Sequence, residues 1–331
     1  MQASKMLFIE PYRLFFPLGV LSFLFGILIW LPQIWNPGSY PVILHRYLML
    51  NGFSACFIGG FLMTAVPKFS ETKSALKTEV FVFLFVTLGG VIPAFMENER
   101  ISLLLSSLQP FILLIFLFSR IFKRKQNPPY SFIFIFVGLI LWLISGLHGA
   151  LVNPETLKRL HYEGAIAAII LGVGSRLIPG ILGHTEIVMK QRSAYEKPIS
   201  ILKTLPLHFA FVIFLFAGSY FFDEGPGNWV RAVIVVFISI YYWKLYKFPR
   251  ERSTLTWSIW ICAWLISLSF LLRAYWHEGL IHASHSFFIN GIALLSFLIA
   301  TRVLQSHGPQ DKSLENKKIL YLITFFVILA A

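Results

Sequence analysis

Long, nearly unbroken apolar runs dominate this chain, in place of the alternating or striped patterns of a soluble fold. Runs at 14–31, 42–66, 79–96, 101–122, 130–152, 160–182, 201–222, 229–246, 255–276 and 280–304 each approach or exceed the roughly 20 residues that carry an α-helix across a bilayer core. Ten full spans are predicted, and an eleventh run at 319–331 is long enough for only part of a crossing. Short polar connections punctuate them, with Pro32, Pro37 and Pro41 in one, Pro128 and Pro129 in another, and Gly225, Pro226 and Gly227 in a third. The expected fold is all-α, a polytopic membrane helix bundle forming a single transmembrane domain over residues 1–331.

Composition agrees. A mean hydropathy of +0.73, with 57% hydrophobic and only 13% charged residues, excludes an ordinary soluble domain and a disordered one. Membrane lipids are therefore the main solvent and partner. The first apolar run lacks a small-residue cleavage site after a short core, so it is expected to remain as the first span. Cys56 and Cys262 sit singly in apolar runs, which leaves neither a disulfide framework nor a thiolate metal motif.

The net charge of +13 reflects topology and does not indicate a nucleic-acid partner. When loops are assigned to alternate sides, only Arg46, Arg100, Lys158, Arg159, Arg231 and Arg273 fall opposite the N-terminus. The other Lys and Arg residues share its side, so the N-terminus is predicted to be cytoplasmic and the opposite face outer. In a bacterium, this describes a multi-pass protein of the cytoplasmic (inner) membrane.

Three spans, the second, sixth and tenth, open at the predicted outer face with His45, His161 and His285, and they run inward to Pro67, Arg176 and Arg302. Recurrence at every fourth helix suggests a repeat of four helices, with units 10–125, 126–250 and 251–331 and the third unit incomplete. On this reading the three histidines are equivalent and face a common axis. The competing reading is coincidence among aromatic-rich helices.

Six of the nine histidines, His45, His148, His161, His277, His282 and His285, fall at predicted outer helix ends. Imidazole suits copper, iron and zinc, and it is a common axial ligand of haem, so this set is the candidate metal site. A single interfacial histidine more often serves as an amphipathic anchor, as Trp and Tyr do. Glu163, two residues from His161, is the candidate catalytic proton donor, with an ion pair to Arg159 as its structural alternative. Glu278 lies beside the same set. At the inner ends, Arg176 and Arg302 are candidates to clamp an anion such as a haem propionate, although basic side chains at that depth commonly snorkel. His184, His208 and His307 suggest a second, inner site.

The motifs Pro11-Tyr12-Arg13-Leu14-Phe15-Phe16, Gly59-Gly60-Phe61-Leu62-Met63-Thr64-Ala65-Val66-Pro67, Arg176 with Gly183-His184-Thr185, and His285 with Arg302 and His307 resemble the NnrS family of haem- and copper-containing membrane proteins of the bacterial nitric oxide response. The resemblance covers nearly the whole chain and implies about twelve helices, haem, copper, and a role in nitric oxide metabolism or resistance. Where that family's second span typically opens with His-x-His-Glu-Met, this chain reads His45-Arg46-Tyr47-Leu48-Met49, so one imidazole and the glutamate are missing. The implied haem is noncovalent and of the b type, because no Cys-x-x-Cys-His attachment motif exists. Nitric oxide would be its small-molecule ligand, an electron donor of unidentified nature would be required, and a nitric oxide-reacting oxidoreductase is the enzymatic form of this reading. The alternative from another class is a transporter or channel for a small solute or metal ion, with a histidine-lined pathway and kinks at Pro67, Pro93 and Pro179.

Overall fold

A computed structural model of the chain describes residues 9–35, 38, 40–186, 207–251, 253–276 and 278–307, with backbone only at 306 and 307. Among the described residues the regular structure is helical throughout. The helices are α1 (Tyr12–Leu28), α2 (Val42–Ser70), α3 (Lys77–Phe95), α4 (Glu99–Ile121), α5 (Phe132–Leu151), α6 (Leu160–Ile181), α7 (Leu207–Gly218), α8 (Glu224–Tyr241), α9 (Thr254–Tyr275) and α10 (Leu280–Gln305).

Among the described residues, eight of these helices are long and apolar enough to cross a membrane, all except α7 and α8. The helix containing α7 is apolar but short over its described part, Leu207–Phe221. Helix α8 has the length, but Glu224, Asn228 and Arg231 in its first half lower its hydropathy. The partial run expected at 319–331 lies outside the described residues.

The chain divides into two compact units. Of the described residues, one unit holds 9–128 and 136–169, and the other holds 129–135, 170–186 and 207–307. In the first, α2 is the central helix: 78% of its apolar core stretch is buried, against 22% for α1. Close approach of α1 depends on glycine, since a Cβ at Gly60 would stand 3.1 Å from the Tyr12 Cα. Phe16 then stacks on Phe57 at 4.7 Å, and the Tyr12 backbone N–H donates to Thr64 Oγ1 at 3.2 Å. At the predicted inner end, the Glu79 carboxylate accepts from the Leu76 N–H that opens α3 and pairs with Arg120 of α4. At the opposite end, Asn98 caps α4 by accepting from Ile101 N–H. Nearby, Arg46 meets Glu99 at 3.2 Å and lies over the Tyr162 ring.

Among the described residues, three helices are interrupted by π-helical turns, at Tyr47–Ser54 in α2, Leu160–Gly164 in α6 and Phe287–Leu294 in α10. These are the three helices that open with His45, His161 and His285. Each π-turn contains a buried polar residue followed by glycine: Asn51-Gly52, Glu163-Gly164 and Asn290-Gly291. A π-turn breaks the regular i to i−4 ladder and leaves carbonyls to other donors. Here Ser22 donates to Leu48 O, Ser54 to Met49 O, Gln109 to Asn51 O and Cys262 to Asn290 O.

The second unit is built on aromatic and small polar contacts. Phe209 stacks on Tyr242 at 4.4 Å, and the buried Trp243 donates its indole N–H to Ser175 Oγ at 3.2 Å. Ser239 and Ser267 join α8 to α9 at 2.8 Å. Arg231, buried inside the unit, donates to Ser219 O and Asn228 Oδ1 and lies over the Tyr220 ring at 4.2 Å. Ser253 caps α9 by accepting from Thr256 N–H.

Candidate functional site

His161 is the histidine that the fold equips best as a ligand. It is buried, 2% exposed, in the π-turn that opens α6. Its Nδ1 lies 3.1 Å from Ser145 Oγ of α5. The Ser145 hydroxyl also reaches the Leu141 carbonyl at 2.6 Å, and when it donates there its oxygen accepts from the ring. In that arrangement Nδ1 carries the proton and Nε2 presents its lone pair. Nε2 is buried, and no group among the described residues satisfies it. This is the tautomer of metal-bound imidazoles, in which a hydrogen bond at one nitrogen fixes the ring and leaves the other to coordinate.

Small residues make the seat. A Cβ at Gly146 would fall 2.9 Å from His161 Cε1 and collide with Ser107 Oγ, so the ring, α4 and α5 meet where α5 has no side chain. Tyr162 packs edge-on against the imidazole at 4.8 Å. Glu163, 3% exposed, is buried in the same turn and is not a free carboxylate. His148 of α5, half-buried, also has a buried Nδ1 without a hydrogen-bond partner.

The other predicted ligands sit differently. His45 Nδ1 is enclosed by the Trp30 indole N–H at 2.9 Å and the Gly26 carbonyl at 2.8 Å, which ties the ring to the end of α1. His285 is exposed, with Nδ1 engaged by the Ile281 carbonyl one turn earlier, and His282 is exposed and stacked on Trp276. Helix ends project side chains all around the axis, so sharing a face of the membrane does not make these rings share a point. His277 lies outside the described residues, and Glu278 is exposed. Among the described residues, no group of three or more His, Cys, Asp or Glu side chains is placed to hold a metal ion.

Tyr47, which stands where the family motif has its second histidine, is buried and donates its hydroxyl to the Thr87 carbonyl. Leu48 stands in place of the glutamate, and its backbone carbonyl accepts from Ser22. A family model described as NnrS protein matches residues 6–331. The chain belongs to the NnrS family. No curated protein and no solved structure matches it.

In this NnrS-family chain the predicted inner residues are less enclosed. Arg176 is half-buried and engaged, and Arg302 lies 3.9 Å from Glu251. His208 is exposed against Tyr241 and Tyr242, and the His307 side chain lies outside the described residues. His184 is the exception: it is 2% exposed, behind the left-handed Gly183 that ends α6, with both ring nitrogens buried. Burial and the neighbouring Arg250 and Lys247 hold its imidazole below the ordinary range, against an opposing pull from Glu186.

Sequence reasoning passed over the polar–glycine pairs of the π-turns and the fully buried Gln109. The available signal was a lone amide or carboxyl followed by glycine within an otherwise apolar run.

Proposed function

We propose that this NnrS-family membrane protein binds haem noncovalently, with copper as a second metal, and acts in nitric oxide metabolism or resistance. The supporting observation is the bare, buried Nε2 of His161, whose partner nitrogen is fixed by Ser145. His161 is the residue proposed to hold the haem. His161 would hold the iron, and a bound haem would supply a centre able to bind a diatomic ligand such as nitric oxide. Ser145 holds the imidazole in its coordinating tautomer, Gly146 makes room for the ring, and Glu163 is the nearest acid in sequence for proton transfer. His148 is the proposed donor to a second metal, and Arg176 and Arg302 are the proposed propionate partners.

The proposed topology has ten spans in four-helix repeats with the N-terminus in the cytoplasm of a bacterial inner membrane. The π-turns support a repeat in a register other than that of the histidines. Pro67 follows Asn51 by the same number of residues as Pro179 follows Glu163, and in that register His161 aligns with Met49 and not with His45.

The test is the visible spectrum and metal content of the purified full-length protein. A Soret band that shifts on adding nitric oxide is expected, with iron retained in wild type and largely lost in His161→Ala. A colourless protein, or iron unaffected by that substitution, overturns the assignment and favours the transporter reading.

A further inference from the structure

The predicted inner end of the first unit carries a basic surface that the haem reading leaves unused. The N–H groups of Lys125 and Gln126 both donate to the carbonyl of Ser70, the last residue of α2, at 3.0 and 3.4 Å, and Arg120 Nη2 donates to Ser74 O at 3.3 Å. Residues 70–74 are thus tied at both ends to the last turn of α4 and the connection that follows it, so Lys73 shares one small surface with Lys123 and Lys125. All three lysines are exposed. Arg124, between two of them, is folded back, with Nε donating to Asn127 Oδ1 at 2.7 Å and Nη1 to Ile121 O at 2.8 Å, which fixes the turn.

The acids of this end do not neutralise the surface. Glu79 is paired with Arg120, and Glu10 takes Arg13 and Lys68. Glu71, exposed at the left-handed end of α2, is a single charge against Lys73, Lys123, Arg124 and Lys125. Among the described residues no ion pair holds Lys73, Lys123 or Lys125. An apolar stripe leads away from the lysines along α4. Phe111, Ile115, Phe118 and Phe122 recur at helical spacing on one face, and all four are exposed, Phe122 by 80%. The Phe118 and Phe122 rings stack at 6.1 Å, and Phe118 also meets Phe136 of α5 at 5.4 Å. At the helical rise per residue the stripe is about 16 Å long, which matches one leaflet, half of a hydrocarbon core about 30 Å thick.

We propose that Lys73, Lys123 and Lys125 hold the phosphate headgroup of an anionic phospholipid whose acyl chain lies along the stripe from Phe122 to Phe111. Cations beside exposed rings at the end of a span suit a molecule with an anionic head and an apolar chain. A soluble acidic protein would meet the lysines and leave the stripe uncovered, and a free phosphate would gain nothing from it. A zwitterionic lipid has the chain but brings a cation of its own toward the lysines. Each exposed lysine attracts an anion weakly and is screened by salt, so selectivity depends on three of them being held to one surface by the bonds to Ser70 and Ser74.

The test uses the full chain in a neutral maltoside detergent, with native mass spectrometry and thermal unfolding in the presence of phosphatidylglycerol or phosphatidylcholine carrying identical chains. Wild type is expected to retain phosphatidylglycerol about tenfold better, with a matching rise in melting temperature. That preference should vanish in the triple variant Lys73→Gln, Lys123→Gln, Lys125→Gln, whose melting without lipid should match wild type because the three side chains are exposed. Lys123→Glu alone should lower the preference as well, which keeps the test decisive if the triple variant folds poorly. Equal retention of the two lipids by wild type, or an unchanged preference in these variants, overturns the proposal. Inorganic phosphate that stabilises as well as the lipid overturns it in favour of a plain anion site, and polyglutamate that binds and resists displacement by the lipid overturns it in favour of an acidic protein. None of these readouts depends on haem or iron, so failure here is separable from failure of the haem assignment.

Discussion

At the scale of single residues, the candidate ligand is defined by what surrounds its two ring nitrogens. Ser145 and Gly146 act on His161 through position. Ser145→Ala removes the acceptor that fixes the Nδ1 proton and is expected to weaken iron retention less than His161→Ala does, which spectral titration of both variants would measure. Gly146→Val places a branched side chain where the imidazole and Ser107 already sit. A destabilisation of about 1–3 kcal/mol is expected from such overpacking, read as a lowered unfolding midpoint with loss of bound iron. His184 offers a pH-dependent prediction outside the spans. Its imidazole is held below the ordinary range by burial and by Arg250, so the folded state resists a proton that the unfolded chain accepts. Stability from this group is complete above the ordinary imidazole range and is lost as the pH falls through it. His184→Gln should therefore show a smaller fall in melting temperature between about pH 7 and pH 5 than wild type.

At the scale of elements, the π-turns and one ion pair are the features that an ideal helix would not contain. The Arg120–Glu79 pair joins α4 to the start of α3, with 8% and 23% of the two side chains exposed. Removing one partner strands a charge in a largely desolvated position, so Arg120→Met is expected to cost about 3 kcal/mol. Adding Glu79→Leu to it should recover much of that loss, a coupling that a double-mutant cycle on thermal unfolding would expose. Additive effects of the two substitutions would mean that the pair does not act as a unit. The span periods were legible from apolar run length, because lipid demands it, and the capping residues Asn98 and Ser253 sit where an N-cap preference places them. The π-turns were not legible as such, because one extra residue in a helix leaves hydropathy unchanged.

At the scale of the molecule, charge asymmetry gives the orientation prediction. Both natural cysteines are buried, so they should react slowly with a membrane-impermeant maleimide and leave a clean background. In intact cells, a cysteine introduced as Asn153→Cys, between α5 and α6, should label from outside, and Ser74→Cys, between α2 and α3, should label only after lysis. The reverse pattern would place the N-terminus outside.

The sequence by itself determined the class of the protein, its NnrS kinship and the approximate placement of its spans. Each of these follows from hydropathy, length or motif, which are properties of the chain read in order. It also set His161 among the candidates but could not rank it above His45 or His285, because all three occupy similar places along their helices. Only the tertiary structure separated them, since ligand capacity depends on which way a ring faces and what its other nitrogen meets. His45 is tied by Nδ1 to Trp30 and Gly26 and is only half-buried, His285 is exposed and bonded to its own helix, and His161 is enclosed with a buried Nε2 that no described residue satisfies. The same holds for Gln109, whose amide hydrogens are drawn to Asn51 O of α2 and Thr87 Oγ1 of α3 only once those helices pack together.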